Sequence, residues 1–234
     1  MWYKEWFNSQ FYDELYSYRD DDEAEKFVSN LEKKINLYNK YILDLCCGNG
    51  RLSKQLKKYT NKLICLDLSI RLLKIAKNKI ENCSLVNADI QNLPLKSHTF
   101  DIIFNFFTSF GYFENYEENI KVLENIFYLL KPNGKLIFDY MNINIEIKKI
   151  KENPIIENDK FTIKKYTEGD KIIKEIEIKK TNEIYKEIIH KFNFEQLIRI
   201  FEKIGFKVDN VYGDYNLNNF EFKNSPRIII LATK

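Results

Sequence analysis

Cysteine, histidine, glycine and proline are all scarce in this 234-residue chain, which has 4, 2, 7 and 4 of them respectively. Cys46, Cys47, Cys65 and Cys83 form no Cys-x-x-Cys pair, and His98 and His190 stand far apart. That excludes a disulfide framework and a zinc site, so no metal is expected. No apolar run is long enough to cross a membrane, and the acidic, aromatic N-terminal stretch is no signal peptide. An excess of one charge is missing too, with 37 Lys+Arg against 34 Asp+Glu. The electrostatic footprint of a nucleic-acid or anionic-membrane partner is therefore absent. A cytoplasmic monomer or homodimer with a small-molecule partner is the expectation.

Hydrophobic residues make up 44% of the chain and charged residues 30%, enough to bury a core. The first forty residues read as two helices. Asn8 or Ser9 would cap Phe11 to Tyr18, and Asp20 or Asp21 would cap Glu23 to Tyr38. From residue 41 short apolar runs alternate with helical stretches. Strands are expected at 41–46, 62–67, 84–88, 100–105 and 135–140, and helices at 50–59, 69–80 and 116–130. Buried, non-alternating strands between helices signal a parallel sheet covered on both faces. Pro132 and Gly134 end the long helix.

Between Ile155 and Phe192 the apolar period drops to two, through Phe161 and Ile163, Ile176 and Ile178, then Ile184, Ile188 and Phe192. With the turn signal Glu168-Gly169-Asp170, this reads as an antiparallel meander. Asn193 then caps a helix to Ile204, and two strands, 206–212 and 227–232, close the chain. Four units follow: a helical lid (1–40), a ligand-binding core (41–141), a β insertion (142–192) covering the acceptor or forming a dimer surface, and core-completing elements (193–234).

In an open α/β sheet, ligands bind at the carboxyl ends of the strands. The first such end here is Leu43-Asp44-Leu45-Cys46-Cys47-Gly48-Asn49-Gly50. Gly48 and Gly50 would let backbone approach a ligand, although an ordinary tight strand–helix connection also carries two glycines. A dinucleotide loop needs a third glycine, and this chain has Ser53. Asp44 beside the turn suits a cation better than a pyrophosphate. A sulfonium ligand with an ammonium and a carboxylate fits, which favours S-adenosylmethionine. Asp67 closes the second strand, where a carboxylate can accept ribose hydroxyls or cap the next helix alongside Ser69. Asp89 could form an Asx turn or contact the ligand.

Asp44 to Gly50 resembles the first motif of class I, Rossmann-like S-adenosylmethionine-dependent methyltransferases. Ile64-Cys-Leu-Asp67-Leu-Ser69, Asn87-Ala-Asp89-Ile90, Phe100 to Asn105 and Leu129 to Gly134 resemble later motifs in the same order. The departure is Cys46, where many members carry Gly or Ala. The resemblance implies a seven-stranded, mostly parallel Rossmann-like sheet with an antiparallel last strand, helices on both faces and a small β insertion. It implies that Asp44, Cys46, Gly48, Gly50, Asp67, Leu68, Asp89, Ile90 and Asn105 bind the cofactor, with Asp67 on the ribose and Asp89 and Ile90 on the adenine. Relatives acting on small molecules have N-terminal helices that look like a lid, which would bring Tyr12, Tyr16 or Arg19 to the ligand. An aromatic stripe packing the helix onto the body fits the same spacing.

The aromatic loop after the fourth strand would line an acceptor pocket, with Phe107, Tyr112, Tyr16 and Arg227 as substrate-binding candidates. Tyr12 and His190 are the candidate catalytic residues, His190 as a general base, although a lone histidine is commonly structural. The expected activity is methyl transfer to N, O or C of a small molecule. A catalytically silent cofactor-binding partner or sensor has the same motifs, and a nicotinamide-dependent oxidoreductase shares the sheet.

Overall fold

The computed structural model describes residues 1–19 and 21–234, so the capping expectation for Asp20 lies outside the described residues. Seven strands form the main sheet: β1 (Ile42–Leu45), β2 (Leu63–Asp67), β3 (Ser84–Asn87), β4 (Phe100–Asn105), β5 (Leu130–Met141), β10 (Lys207–Tyr212) and β11 (Arg227–Thr233). Their order is β10-β11-β5-β4-β1-β2-β3. β1 pairs in parallel with both β2 and β4, whereas β11 runs antiparallel to β5 and β10. The order therefore reverses between β1 and β4, and a crevice opens there.

The helices are α1 (Trp2–Trp6), α2 (Gln10–Leu15), α3 (Asp21–Glu32), α4 (Arg51–Leu56), α5 (Ile70–Lys79), α6 (Tyr116–Leu129), α7 (Ile143–Glu152) and α8 (Phe194–Ile204). One face of the sheet buries Leu43, Leu45, Ile103 and Phe138 with α6 and α8, and the other buries Ile42, Phe104 and Ile137 with α3 and α4. Apolar side chains on both faces explain why these strands carry no polar alternation.

A second, four-stranded antiparallel sheet holds β6 (Ile155–Glu157), β7 (Phe161–Glu168), β8 (Lys171–Ile178) and β9 (Glu183–His190) in sequence order. Its apolar face, with Phe161, Ile163, Ile176 and Ile178, packs on Trp6 and the aromatic side chains of α2. The N-terminal helices are thus gripped between the insertion and the main sheet.

Four expectations need correction. The N-terminal stretch forms three helices, because α1 closes on the buried Tyr3 and Trp6 ahead of α2. The insertion opens with α7, whose Ile143, Ile147 and Ile150 sit at helical spacing, so the unit expected as β over 142–192 begins with a helix. α6 stops at Leu129, one residue early, and β5 starts at Leu130 rather than 135, with a register shift against β4 across the turn. In β9, Ile184 is exposed and the inward residues are Tyr185, Glu187 and Ile189. One face of that strand belongs to a charged group, so the apolar pattern pointed the wrong way.

Candidate functional site

The ends of β1 and β2, the loops after β3 and β4, and the N-terminal helices surround a cavity of about 330 Å³. It lies at the reversal of strand order and has the size of a small-ligand cleft. Leaving β1, the chain turns at Cys46 (φ 63°), a left-handed conformation that costs a side-chain-bearing residue roughly 1–2 kcal/mol. That is why glycine suits this position and why cysteine is tolerated there at a cost. Gly48 (φ 56°) faces open space, since a Cβ built on it would meet nothing within 4 Å.

Gly50 behaves differently. It caps α4 at φ 80° and does not line the cavity, and a Cβ would come within 2.7 Å of Ile80 Cδ1 and 2.9 Å of Ala76 Cβ. This glycine allows α4 to pack against α5; it is not the ligand-approach residue that its spacing suggested.

Asp44 lines the cavity and is only 2% exposed. Its carboxylate accepts the Ser53 hydroxyl. Burial pushes its pKa up to about 7, and the nearby Asp67 charge adds to this against the Ser53 bond. Asp67 accepts the Gly48 amide (2.8 Å) on one oxygen and the Ser69 amide (2.8 Å) on the other. It therefore ties the glycine turn to the start of α5, while each oxygen keeps a further lone pair. Burial raises its pKa as well. Asp89 accepts the Gln91 amide in an Asx turn and lies 3.7 Å from Lys4 Nζ, yet it also lines the cavity, with Leu68 and Ile90.

Asn105 does not join them. It is fully buried, lines no described cavity, and neither side-chain polar atom has a hydrogen bond among the described residues. In register with Leu45 and Phe138, it faces core rather than crevice.

A second cavity of about 610 Å³ adjoins the first, and Phe7, Tyr12, Tyr16, Arg19, Phe107 and Tyr112 line both. The aromatic stripe of the N-terminal helices thus packs and faces ligand space at once. Burial pushes the Tyr12 pKa up to about 12, partly offset by Arg19, so this phenol keeps its proton and is not a general base. The Tyr16 hydroxyl donates to Glu187 Oε1 (2.6 Å) and accepts from Lys174 Nζ (2.6 Å). Arg227 lines the second cavity, donating Nε to Asp139 Oδ1 (2.8 Å) and Nη2 to Thr108 Oγ1 (2.8 Å).

His190 lines neither cavity. Nδ1 meets Asp170 Oδ2 and Nε2 meets the Glu114 carbonyl, both at 3.0 Å, so neither ring nitrogen is available to a substrate. The histidine anchors β9 to the loop before α6.

Glu187, Lys174 and Asp139 were not among the candidates. Asp139 is fully buried and accepts the Phe107 amide, the Tyr215 hydroxyl and Arg227, thereby shaping the loop after β4. An aspartate inside the apolar run Leu136-Ile-Phe-Asp139 was its sequence signal. For Lys174 and Glu187 the signal was a lysine in phase with buried Ile172 and Ile176, directly opposite a glutamate.

Residues 42–134 match the family described as "Methyltransferase domain". A ubiquinone/menaquinone biosynthesis C-methyltransferase of Wigglesworthia glossinidia brevipalpis is 39% identical over 105 residues, 41% of this chain and 40% of that protein. A ubiquinone biosynthesis O-methyltransferase of Coxiella burnetii is 33% identical over 120 residues, half of each chain. The chain thus spans about half or less of the length of these two relatives. The crystal structure of an S-adenosylmethionine-dependent methyltransferase from Clostridium acetobutylicum superposes with a TM-score of 0.81 at 21% identity. It covers 95% of this chain and 96% of its own, so the shared fold includes the insertion and the N-terminal helices.

Proposed function

We propose, from the premise that residues 42–134 belong to the class I methyltransferase-domain family, that the chain is an S-adenosylmethionine-dependent methyltransferase acting on a small molecule. The observation that carries this is the convergence of Asp44, the open side of Gly48, Asp67 and Asp89 on one crevice. The donor set fits the group: a buried carboxyl pushed up to about 7 gains most from a cationic neighbour. Asp44 would hold the ammonium side, Asp67 the ribose hydroxyls, and Asp89 with Leu68 and Ile90 the adenine. Gly48 leaves room for the ligand beside the backbone. At position 53, where a dinucleotide loop has glycine, the serine hydroxyl is already bonded to Asp44.

When bound, the cofactor supplies a methyl carbon on a sulfonium leaving group. The acceptor atom would take that methyl by in-line displacement, the electron pair of the broken C–S bond returning to sulfur. The chain's own part is orientation and exclusion of water, which can contribute about 7–11 kcal/mol at best. The shared collar of Tyr12, Tyr16, Phe107 and Tyr112 is placed for this. The protonated Tyr12 and Tyr112 phenols can donate hydrogen bonds to a ligand without removing protons, while the Tyr16 proton is held by Glu187. We take the acceptor's proton to leave for solvent. Among the described residues no helix is long and apolar enough to cross a membrane. The four free thiols suit a reducing compartment, and we assign the enzyme to the cytoplasm.

A thermal melt tests the cofactor. At a hundred times its dissociation constant a ligand adds about 2.7 kcal/mol, which for this length raises the midpoint by roughly 5–10 °C. S-adenosylmethionine and S-adenosylhomocysteine are expected to give that shift and NAD(H) none. A shift with NAD(H) alone would replace this reading with an oxidoreductase.

The Asp44 carboxyl makes binding pH-dependent. A cationic ligand favours its ionised form, so binding releases a proton below about pH 7. S-adenosylhomocysteine affinity is expected to climb up to tenfold per pH unit as pH rises toward 7, and to level off above it. Without ligand the sign is opposite: the raised pKa stabilises the fold below the unfolded value near 4, and this is lost as pH rises through about 7. Calorimetry in buffers of different ionisation enthalpy reads the released proton, and Asp44→Asn should abolish it. An unchanged release in that variant would assign the proton to another group.

A further inference from the structure

We propose that the second cavity takes an acceptor carrying an acidic group, a carboxylate or a phosphate, held between Arg19 and Arg227. This rests on the methyltransferase reading only in calling the ligand the acceptor. The observations are the guanidinium geometry and the charge left over in the cavity.

Three carboxylates and five cationic side chains line the space. Each carboxylate already has a cation: Glu187 pairs with Lys174 at 3.3 Å, Glu146 with Lys165 at 2.7 Å and Glu23 with Arg51 at 3.0 Å. The Arg19 side chain has no hydrogen bond or ion pair among the described residues, and its guanidinium lies only against rings. Its Cζ stands 4.1 Å from the Tyr16 ring centre and 5.3 Å from that of Phe107. Arg227 uses Nε on Asp139 and Nη2 on Thr108, which leaves Nη1 without a hydrogen bond among the described residues. Its Cζ is 5.9 Å from the Tyr215 ring, which meets Phe107 edge-on at 5.6 Å.

Two guanidinium groups thus flank one aromatic pair on the wall of one cavity, and Arg19 lies close enough to lower the proton affinity of neighbouring cations. The charge of Arg19 acts on both Arg227 and Lys174 in that direction. Like charges converging in a half-buried space are relieved by an anion, and a guanidinium with free N–H groups is the donor that binds a carboxylate or phosphate best. The cavity volume suits a small molecule. The rings of Phe107, Tyr112 and Tyr215 favour a flat or apolar body behind the acid group. Because Arg19 also borders the first cavity, an acid group held there leaves the rest of the ligand within reach of the collar.

The probes are benzoate, phenyl phosphate, benzylamine and benzyl alcohol, each titrated calorimetrically into full-length protein saturated with S-adenosylhomocysteine. Benzoate or phenyl phosphate is expected to bind saturably, and the stronger of the two identifies the acid group. Benzylamine and benzyl alcohol should bind at least tenfold more weakly. Arg19→Gln, which removes ring contacts but no side-chain hydrogen bond or ion pair among the described residues, should weaken the anion at least tenfold, with Arg19→Lys recovering part of it. Arg227→Gln should do the same, and a melt of each variant reports whether it is folded. Preference for benzylamine, no saturable anion binding, or equal affinity in Arg19→Gln would each overturn the proposal. Should Arg19→Gln weaken S-adenosylhomocysteine but not the anion, Arg19 belongs to the cofactor and the proposal fails. Loss of wild-type S-adenosylhomocysteine binding would instead sink the methyltransferase reading itself, whatever the anions do.

Discussion

Asp67→Ala is expected to weaken S-adenosylhomocysteine binding by at least about 100-fold, with a smaller effect on folding. The variant loses two things at once. Bonds from ribose hydroxyls to a buried carboxylate are charge-assisted and worth about 1.5–3 kcal/mol each, so two of them account for a factor of 100 or more. The Gly48 and Ser69 amides, both 2.8 Å from the carboxylate, also lose their acceptor, and the glycine turn is released from α5. Asp67→Asn separates the two effects. An asparagine oxygen can serve one amide, but its NH₂ would face the other donor head-on, so part of the turn is disrupted while the charge is gone. Calorimetric titration of both variants checks this. Near-native affinity in Asp67→Ala would reduce the residue to the helix-capping role its sequence position also allows.

Glu187→Ala should lower the melting temperature by roughly 6–20 °C. The carboxylate is buried and accepts Trp6 Nε1 (2.7 Å) and the Tyr16 hydroxyl (2.6 Å), and it is paired with Lys174. Burial alone would raise its pKa, but Lys174 and the Tyr16 and Trp6 bonds hold it below the ordinary glutamate value. Lys174 in turn is pushed down by burial. Removing one partner of a buried pair costs about 3–5 kcal/mol because the other is left uncompensated, and a domain of this size loses about 2–4 °C per kcal/mol. The double variant Glu187→Leu with Lys174→Met should melt closer to the native protein, because no orphan charge remains. Cofactor affinity should also fall in Glu187→Ala, since Trp6 and Tyr16 are the points by which the insertion holds the N-terminal helices over the crevice. A native melting point in Glu187→Ala would mean that the aromatic packing around Trp6 holds those helices unaided.

The contrast between these two residues shows what a linear sequence can reveal. Asp67 was legible because its position follows from local rules: an apolar strand, an acid at its carboxyl end, a serine cap and a helix. Parallel strands with both faces buried carry a strong apolar signature, so β1, β2, β4 and the second half of β5 could be read directly. The same rules located Asp44 and Gly48 on one edge, whereas Asp89 joined them through the family resemblance alone.

Glu187 was hard to read because its role depends on partners 171 and 181 residues away in the chain. In a strand rich in Lys and Glu, the signal of Lys174 in phase with Ile172 and Ile176 points to Glu187 only once the strand register is known. The isoleucine pattern even favoured the exposed face, since Ile184 looked like core and is not. Gly50 and His190 failed for the same reason. Spacing made Gly50 a ligand-approach residue and residue type made His190 a candidate base, whereas the packing of α5 and the bonds to Asp170 and Glu114 gave them structural roles.

By itself, then, the sequence determined the sheet, the switch point and the acidic edge that faces a cationic ligand. These arise from short-range periodicity and from residues adjacent to strand ends. Only the tertiary structure decided which aromatic and charged side chains from α2, the loop after β4, α7, β7, β8, β9 and β11 enclose the second cavity. Side chains from segments far apart in the chain meet there through long-range packing, and their proximity has no periodic trace in the sequence.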